Sequence, residues 1–238
     1  MESYLRAVFL AALLLSGCTG ATSAIVDTFQ SAARNWSGAA RGEPQLNPDF
    51  SYLRLTIDGR VAYLAGVNID DRHPGAEQVW FSGNREVIRL LDGRVTGAVG
   101  TTTEWRGVLL PQLPSWSVLA KSGEFQWSRV RDVMPGYRFG VEDALTLRVI
   151  QPPDKSALQG VDPRSLTWFE ERVQAPRFAA STDSVSLEGF EALPPARYAV
   201  ALAGGNEQVV YGEQCLAPAF CFSWQRWSAE PPKPNDQK

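Results

Sequence analysis

Two Asp-Gly turns, each placed between segments of alternating apolar and polar residues, most strongly constrain how this chain can fold. The segments Tyr52–Ile57 and 61–67 flank Asp58-Gly59, and the segment 86–91 leads into Asp92-Gly93. Both turns continue as Arg-Val, 34 residues apart. Asp-Gly in this setting favours a two-residue β-hairpin, because both residues tolerate the positive φ angles that the turn needs. Two copies are too few for a solenoid, so the pattern predicts successive hairpins of one sheet.

Further segments with strand-like composition follow along the chain. They are residues 125–133, 144–150, 166–173, 184–190, 197–202, 208–212 and 220–227. The 20 Gly and 16 Pro residues supply turns between them. The sequence therefore predicts a mainly β fold, either an antiparallel β-sandwich or an open barrel built from hairpins.

One short helix is expected before the sheet. Ile25, Phe29 and Trp36 recur at helical spacing, with Ser23 in place to cap the first turn and Gly38 just beyond the last one.

The amino terminus has the outline of a signal peptide. The apolar run of residues 7–15 is followed by Leu15-Ser16-Gly17-Cys18. Such a run is too short to span a bilayer, which needs about 20 residues. The ending resembles the bacterial lipobox, in which cleavage precedes a Cys that becomes acylated. We expect Cys18 to be the mature first residue, carrying acyl chains such as palmitate that hold it permanently in the membrane. The alternative is an ordinary secretory signal with an unmodified Cys18.

The residue after the lipobox Cys predicts the destination. Thr19, rather than Asp, follows Cys18, which resembles lipoproteins sorted to the outer membrane. We expect lipid anchoring there, on the periplasmic side; retention in the inner membrane is the alternative. The expected organisation is a lipoprotein signal peptide (1–17), an acylated N-terminus with the helix (18–40), a single β-rich domain (41–229) and a disordered tail (230–238).

Two further cysteines, Cys215 and Cys221, are six positions apart. An oxidising periplasm permits them to form a disulfide, and two buried free thiols are the alternative. A zinc site is not expected, because the chain has no second Cys pair and its only histidine is His73. No other metal site is predicted.

Composition and motifs exclude several classes of protein. The 23 Lys plus Arg against 26 Asp plus Glu do not form the basic excess of a nucleic-acid binder. The chain lacks the Gly-rich phosphate loops and the His-Glu-x-x-His helix, so no cofactor is expected. His73 lies in a polar turn segment, and no Gly-x-Ser-x-Gly elbow accompanies it. A carboxylate pair could still hydrolyse a glycoside, with Glu104 and Asp132 as candidates.

Eight tryptophans, some beside arginines, suggest contact with sugars. Aromatic faces stack on sugar rings, and Arg binds carboxylates or phosphates in a forked geometry. Strand alternation places Phe125, Trp127, Arg129 and Arg131 on one face, which could hold an anionic polysaccharide. Trp105, Arg106 and Trp116 are further candidates. The alternative is that the aromatic residues form the core and the arginines extend to its rim.

The segment 79–95 resembles the YjbF family of group 4 capsule and exopolysaccharide lipoproteins. The features shared are an aromatic pair, Trp80-Phe81, before a turn, a strand of apolar and charged residues, and Asp-Gly-Arg followed by Thr96-Gly97. The resemblance implies a mainly β outer-membrane lipoprotein that assists polysaccharide secretion. It supplies no catalytic residues, and the Cys215–Cys221 pair departs from the family pattern.

The leading functional hypothesis is a non-enzymatic periplasmic accessory of exopolysaccharide or capsule export. Its expected partners are the membrane, through the lipid anchor, and export proteins or the polysaccharide itself. Two alternatives remain: a polysaccharide-processing enzyme that uses a carboxylate pair, and a structural lipoprotein of envelope assembly.

Overall fold

The structure is a computed structural model that describes residues 46–67, 76–178, 192–202 and 207–228. These residues belong to one compact unit that spans residues 43–238. The following predicted features lie outside the described residues: the signal peptide, Cys18, the helix at 24–36, His73, the strand at 184–190 and the tail at 230–238.

The described residues form twelve antiparallel strands and two short helical turns. The strands are β1 (Tyr52–Ile57), β2 (Arg60–Val67), β3 (Gln78–Phe81), β4 (Val87–Leu91), β5 (Arg94–Val99), β6 (Glu104–Leu109), β7 (Glu124–Met134), β8 (Arg138–Ile150), β9 (Thr167–Phe178), β10 (Ala196–Ala201), β11 (Gln208–Ala217) and β12 (Phe220–Trp227). A single turn of α-helix, α1 (Trp116–Leu119), precedes β7, and a 3-10 turn (Pro163–Ser165) precedes β9.

The sheet closes on itself as a barrel. Each strand pairs with its neighbours in sequence, and β1 also pairs with β12, from Tyr52 opposite Trp227 to Thr56 opposite Ser223. The prediction of a mainly β, antiparallel fold is confirmed. The architecture is a closed barrel, whereas the sequence predicted a sandwich or an open barrel. Closure gives the first and last strands each a second partner and so removes the exposed edges.

Both Asp-Gly turns adopt the predicted hairpin geometry. Asp58 and Gly59 have φ angles of 48° and 75°, and Asp92 and Gly93 have 49° and 79°. Each turn joins neighbouring strands, β1 to β2 and β4 to β5. Positive φ at both central residues is the condition of the type I′ turn, whose twist matches that of the flanking strands.

The strand boundaries differ from the predicted ones where the alternation is broken. β3 and β6 were not predicted, and β8, β9 and β11 are longer than predicted. Register shifts interrupt the β6–β7, β8–β9 and β11–β12 pairings. Each such bulge moves the following residues to the opposite face, so a period-two pattern is lost although the strand continues.

Antiparallel order divides the connections between two ends of the barrel. One end carries the β4–β5 turn, the β6–β7 connection with α1, and the β8–β9 connection. β1 begins and β12 ends there as well, because Tyr52 lies opposite Trp227. We call this the α1 end.

The inward face of the barrel is filled by large side chains. Along β7, Trp127, Arg129, Arg131 and Val133 are buried, while the residues between them are more exposed. The core is apolar around most of the barrel and includes Leu53, Leu64, Trp80, Trp105, Phe169 and Trp224.

Cys215 and Cys221 form the predicted disulfide. They lie opposite each other in the β11–β12 hairpin, with their Cα atoms 3.9 Å apart. The bond therefore joins two strands that the backbone ladder already pairs.

Gly212 allows Trp224 to lie directly against the backbone of β11. The two residues are opposite each other in the β11–β12 ladder. A Cβ atom at position 212 would be 2.7 Å from the Trp224 indole, closer than real Cβ contacts come. The absent side chain thus makes room for a fully buried tryptophan.

We expect Gly212→Ala to lower the free energy of unfolding by about 1–3 kcal/mol, the usual effect of overpacking a tight core. Gly107→Ala is the matched control, because a Cβ there would have no neighbour within 4 Å. Denaturant titration of both variants by circular dichroism measures the effect. Equal stability of the two variants would contradict this account of Gly212.

Candidate functional site

The interior of the barrel holds charged side chains from three neighbouring strands and one more distant strand. Arg129 and Arg131 come from β7, Asp143 from β8, Glu171 from β9 and Arg94 from the start of β5. All five are buried. We call them the interior ion chain, because each acidic group lies between basic ones.

Asp143 binds both arginines of β7. Its Oδ2 accepts hydrogen bonds from Arg129 Nε at 2.8 Å and from Arg131 Nε at 2.7 Å. Its Oδ1 accepts a third from Arg131 Nη2 at 3.0 Å. The ladder register places Arg129 directly opposite Asp143, so the strand pairing itself brings the charges together.

Glu171 continues the chain toward Arg94. Its Oε1 accepts hydrogen bonds from Arg129 Nη1 at 3.4 Å and from the Tyr198 hydroxyl at 3.5 Å. Its Oε2 lies 3.6 Å from Arg94 Nε, which is an ion-pair distance without a hydrogen bond. Arg94 is therefore held more weakly than the other two arginines.

Tryptophan rings cover the guanidinium groups. Trp105 lies beside both arginines of β7, with its ring centroid 4.7 Å from Arg129 Cζ and 5.1 Å from Arg131 Cζ. Trp116 lies 4.1 Å from Arg94 Cζ, and Trp127 lies 5.5 Å from it. Buried cation–π contacts of this kind stabilise a charge that has lost its water.

The charges shift one another's pKa values in the expected directions. Burial opposes ionisation of Asp143, but Arg129 and Arg131 outweigh it and hold the pKa of Asp143 below its usual range. Burial also opposes the charge of Arg129, yet Asp143 and Glu171 raise the pKa of that guanidinium. Burial and the nearby Glu171 carboxylate raise the pKa of the Tyr198 hydroxyl, so it stays a neutral donor.

Helix α1 closes the barrel above Arg94. Trp116 and Leu119 are buried in the core, and the Trp116 ring also lies against Phe169 and Tyr198, with centroids 4.8 Å and 5.4 Å away. Trp116 Nε1 donates a hydrogen bond to the Asp92 carbonyl at 3.3 Å. The Ser117 amide donates to Glu207 Oε1 at 3.2 Å. These contacts fix α1 to the β4–β5 turn and to Glu207, the residue that precedes β11 at the same end.

A second set of ion pairs lies on the outside of the barrel. Arg148 Nη2 and Arg172 Nε bind Glu170 Oε1 at 2.9 Å and 2.7 Å, and Arg197 Nε lies 3.6 Å from Glu170 Oε2. Burial opposes the charge of Glu170, but its hydrogen bonds to Arg172 and Arg148 lower the pKa. Arg148 and Arg172 are about half exposed, so water screens these pairs, unlike those of the interior ion chain.

The β8–β9 connection, residues 151–166, crosses the outer surface as a strap. The Ala157 amide donates a hydrogen bond to the Tyr211 hydroxyl at 2.9 Å, and Gln159 and Gln225 exchange two bonds of 2.9 Å and 2.8 Å. The strap covers Trp168 and Tyr211, which point outward. A pocket of about 810 Å³ lies between the two ends of the strap. The residues that line it belong to the ranges 149–154 and 162–168.

Most of the residues predicted to bind glycan lie inside the barrel. Trp105, Trp116, Trp127, Arg129 and Arg131 are buried, Phe125 is half-buried against the core, and Arg106 is exposed. The predicted shared face of β7 exists and points inward. The arginines therefore lie inside the core. The alternative interpretation had placed them at its rim. Contact with glycan stays a prediction.

The two carboxylates considered for catalysis have separate partners. Glu104 pairs with Arg106 Nε at 2.6 Å and also accepts a hydrogen bond from the Gly100 amide at 2.9 Å. Asp132 accepts a bond from the Gly140 amide at 2.9 Å. Each carboxylate thus holds its own local turn or bulge.

Sequence reasoning missed the partners of the β7 arginines. Asp143 and Glu171 were not candidates, nor were Arg94, Tyr198 and Gln214. A signal was available in β8, where Asp143 shares the parity of the apolar residues Leu145 and Leu147, so an inward carboxylate could have been expected.

Neither a cluster of metal ligands nor a membrane-spanning helix occurs among the described residues. Within these ranges no group of three or more His, Cys, Asp or Glu is arranged to hold a metal ion. No helix in the described part of the chain is long and apolar enough to cross a membrane.

Comparison with known proteins identifies a similar fold. No protein-family model matches the chain. No curated protein matches its sequence. Among solved structures, the fold is similar to that of the hypothetical lipoprotein YmcC from Escherichia coli K12, with a TM-score of 0.52 and 17% sequence identity. The match covers 88% of this chain and 97% of that chain. At this identity the likeness shows a shared fold.

We expect Asp143→Asn to lower the free energy of unfolding at neutral pH by about 3–5 kcal/mol, because it removes the negative charge that two buried guanidiniums share.

The pH dependence of the free energy of unfolding tests the same role of Asp143. The lowered pKa of Asp143 means that its stabilisation is present above about pH 4, the range of an unfolded Asp, and is lost as the pH falls through the folded value. The parent chain should therefore lose stability below about pH 4 more steeply than the variant.

Chemical denaturation from pH 7 down to pH 3 measures both effects. Glu142→Gln is the control. Glu142 directly precedes Asp143 in β8 and lies on the opposite face of the strand, between the buried residues Val141 and Asp143. Equal losses for the two variants would contradict the role assigned to Asp143.

Proposed function

We propose that this chain is an outer-membrane lipoprotein, acylated at Cys18 and facing the periplasm, that acts as a non-enzymatic accessory in exopolysaccharide or capsule export. The observation that carries the proposal is a barrel fold shared along 97% of the length of a hypothetical lipoprotein. The lipobox at Leu15-Ser16-Gly17-Cys18 supports it independently, because it is a feature of the sequence and not of the fold.

The compartment is supported by the disulfide. Cys215 and Cys221 are bonded within the β11–β12 hairpin. Disulfides persist in the periplasm and are rare in the cytosol. A secreted or periplasmic protein is therefore the better fit to this hairpin.

The role in polysaccharide export is supported by the segment that resembles the YjbF family. In the barrel this segment forms β3, β4 and the start of β5. Trp80 points into the core, Phe81 is exposed on the outside, and the Asp-Gly-Arg motif ends at Arg94 of the interior ion chain. The motif residues thus belong to the turn and the ion chain at the α1 end.

An accessory role, rather than hydrolysis, is supported by the two carboxylates of the interior ion chain. A glycosidase needs one carboxyl group that can carry a proton and a second that can act as base or nucleophile. Asp143 is held ionised by two arginines, and Glu171 lies between Arg129 and Arg94. These groups serve as counter-ions to arginines.

The anchor is tested by Cys18→Ser in the producing bacterium. We expect the parent chain to incorporate a palmitate analogue and to fractionate with the outer membrane, and the variant to lose both properties, because thioether-linked diacylglycerol cannot form on Ser. Cys215→Ser is the matched control and should keep the label and the location. Labelling of the Cys18→Ser chain, or a parent chain without label, would contradict lipidation at Cys18.

The role in export is tested by deletion of the gene. We expect less secreted or capsular polysaccharide under producing conditions, measured as uronic acid or total carbohydrate in the medium and on the cell surface. Re-expression of the parent chain should restore secretion, and re-expression of Cys18→Ser should not. Unchanged secretion in the deletion strain would refute the proposal.

A further inference from the structure

The interior ion chain carries one more positive charge than negative. Its order is Arg131, Asp143, Arg129, Glu171, Arg94, so an arginine stands at each end. At the β7 end, Arg131 binds both oxygens of Asp143. At the other end, Arg94 has one 3.6 Å ion pair with a carboxylate that Arg129 also uses. Arg94 is the member of the chain whose charge is least compensated.

Buried polar atoms without hydrogen-bond partners lie at this end of the chain. Among the described residues they include the donors Arg94 Nε and Nη2, Gln214 Nε2 and Trp127 Nε1, and the acceptor Glu171 Oε2, which lies 3.6 Å from Arg94 Nε. Arg94 and Gln214 are each 3% exposed, and Trp127 is 9% exposed. Unpaired buried donors destabilise a folded protein, more so when they are charged. Arg94 Nη2, Gln214 Nε2 and Trp127 Nε1 still need an acceptor, and an anionic one suits Arg94.

Arg94 and Gln214 share the neighbour Tyr198. The Arg94 guanidinium lies 5.5 Å from the Trp127 ring and 5.7 Å from the Tyr198 ring. Gln214 Oε1 accepts a hydrogen bond at 3.5 Å from the amide of Val95, the residue after Arg94. It also lies 3.5 Å from the Tyr198 hydroxyl, whose single proton it shares with Glu171 Oε1. The accepting atom of the Gln214 amide is thereby used, which leaves its NH₂ group to donate.

We propose that Arg94 and Gln214 form a binding site, inside the barrel at the α1 end, for a ligand that carries an oxyanion, a carboxylate or a phosphate. Arg94 supplies the charge and its Nη2 donor, Gln214 a second donor, and Trp116 and Trp127 an aromatic wall. The ligand brings the negative charge that the interior ion chain lacks. Because α1 covers Arg94, the proposal requires α1 to release its hydrogen bonds to the Asp92 carbonyl and Glu207 before a ligand can enter. This site does not rest on the proposed role in export.

The test measures binding of small oxyanions to the purified full chain in detergent, by isothermal titration calorimetry and by thermal unfolding. Glucuronate probes the carboxylate of an acidic sugar, glycerol phosphate probes the phosphate of a lipid headgroup, and glucose is the neutral control. We expect one of the two oxyanions to bind saturably and to raise the Tm, and glucose to do neither. The oxyanion that binds identifies the source. Absence of binding by both would overturn the proposal.

Variants locate the site. Arg94→Gln should weaken binding about tenfold or more, since it removes a charge-assisted hydrogen bond. Arg148→Gln, which removes a partly exposed arginine from the outer ion pairs with Glu170, should bind like the parent chain. Equal affinity of the Arg94→Gln chain and the parent chain would overturn the proposal.

Gln214→Glu tests the site without removing an arginine. It places a permanent carboxylate beside Arg94, so we expect a higher Tm in the absence of ligand and loss of the oxyanion-induced rise in Tm. An unchanged oxyanion response in this variant would also overturn the assignment. The Gln214→Glu variant keeps the test decisive if the Arg94→Gln chain fails to fold.

Discussion

The carboxylate of Asp143, held by Arg129 and Arg131, is the contact on which the arrangement of the barrel interior depends. A closed barrel must fill its inner surface with side chains, and here two of the largest are arginines that face inward from β7. Guanidiniums cannot lose their water without a counter-charge. Because Arg129 lies opposite Asp143 in the β7–β8 ladder, the same backbone register that builds the wall supplies that charge. A one-residue slip would send Asp143 outward and leave both arginines uncompensated.

The interior is therefore divided into regions of different character. Around β1 to β4 and β12 the inward residues are Leu, Ile, Phe and Trp, which need only fit together. Between β7 and β11 apolar residues share the interior with charged and polar side chains, whose geometry is fixed by hydrogen bonds with defined partners. Trp105 joins the two regions: its ring covers both arginines of β7, and its Nε1 donates to the Leu216 carbonyl at 3.0 Å. A polar interior of this kind stabilises one register more selectively than apolar residues alone do.

Sequence reasoning succeeded where the signal is local. The Asp-Gly turns, the shared face of β7 and the Cys215–Cys221 pair follow from residues close together in the chain. It failed where the partner is distant. Arg129 meets Glu171 42 residues later, and Val95 meets Gln214 119 residues later, contacts that depend on how the strands are ordered. Closure through β1 and β12 is the longest-range contact of all and decides between a sandwich and a barrel.

The two ends of the barrel are chemically different. β1 begins at the α1 end. The same end carries Trp116, Asp92 and the incompletely compensated Arg94. The opposite end carries the β7–β8 turn, where Tyr137 and Phe139 are 74% and 57% exposed. The proposed oxyanion site and the exposed aromatic pair thus lie at opposite ends of the barrel.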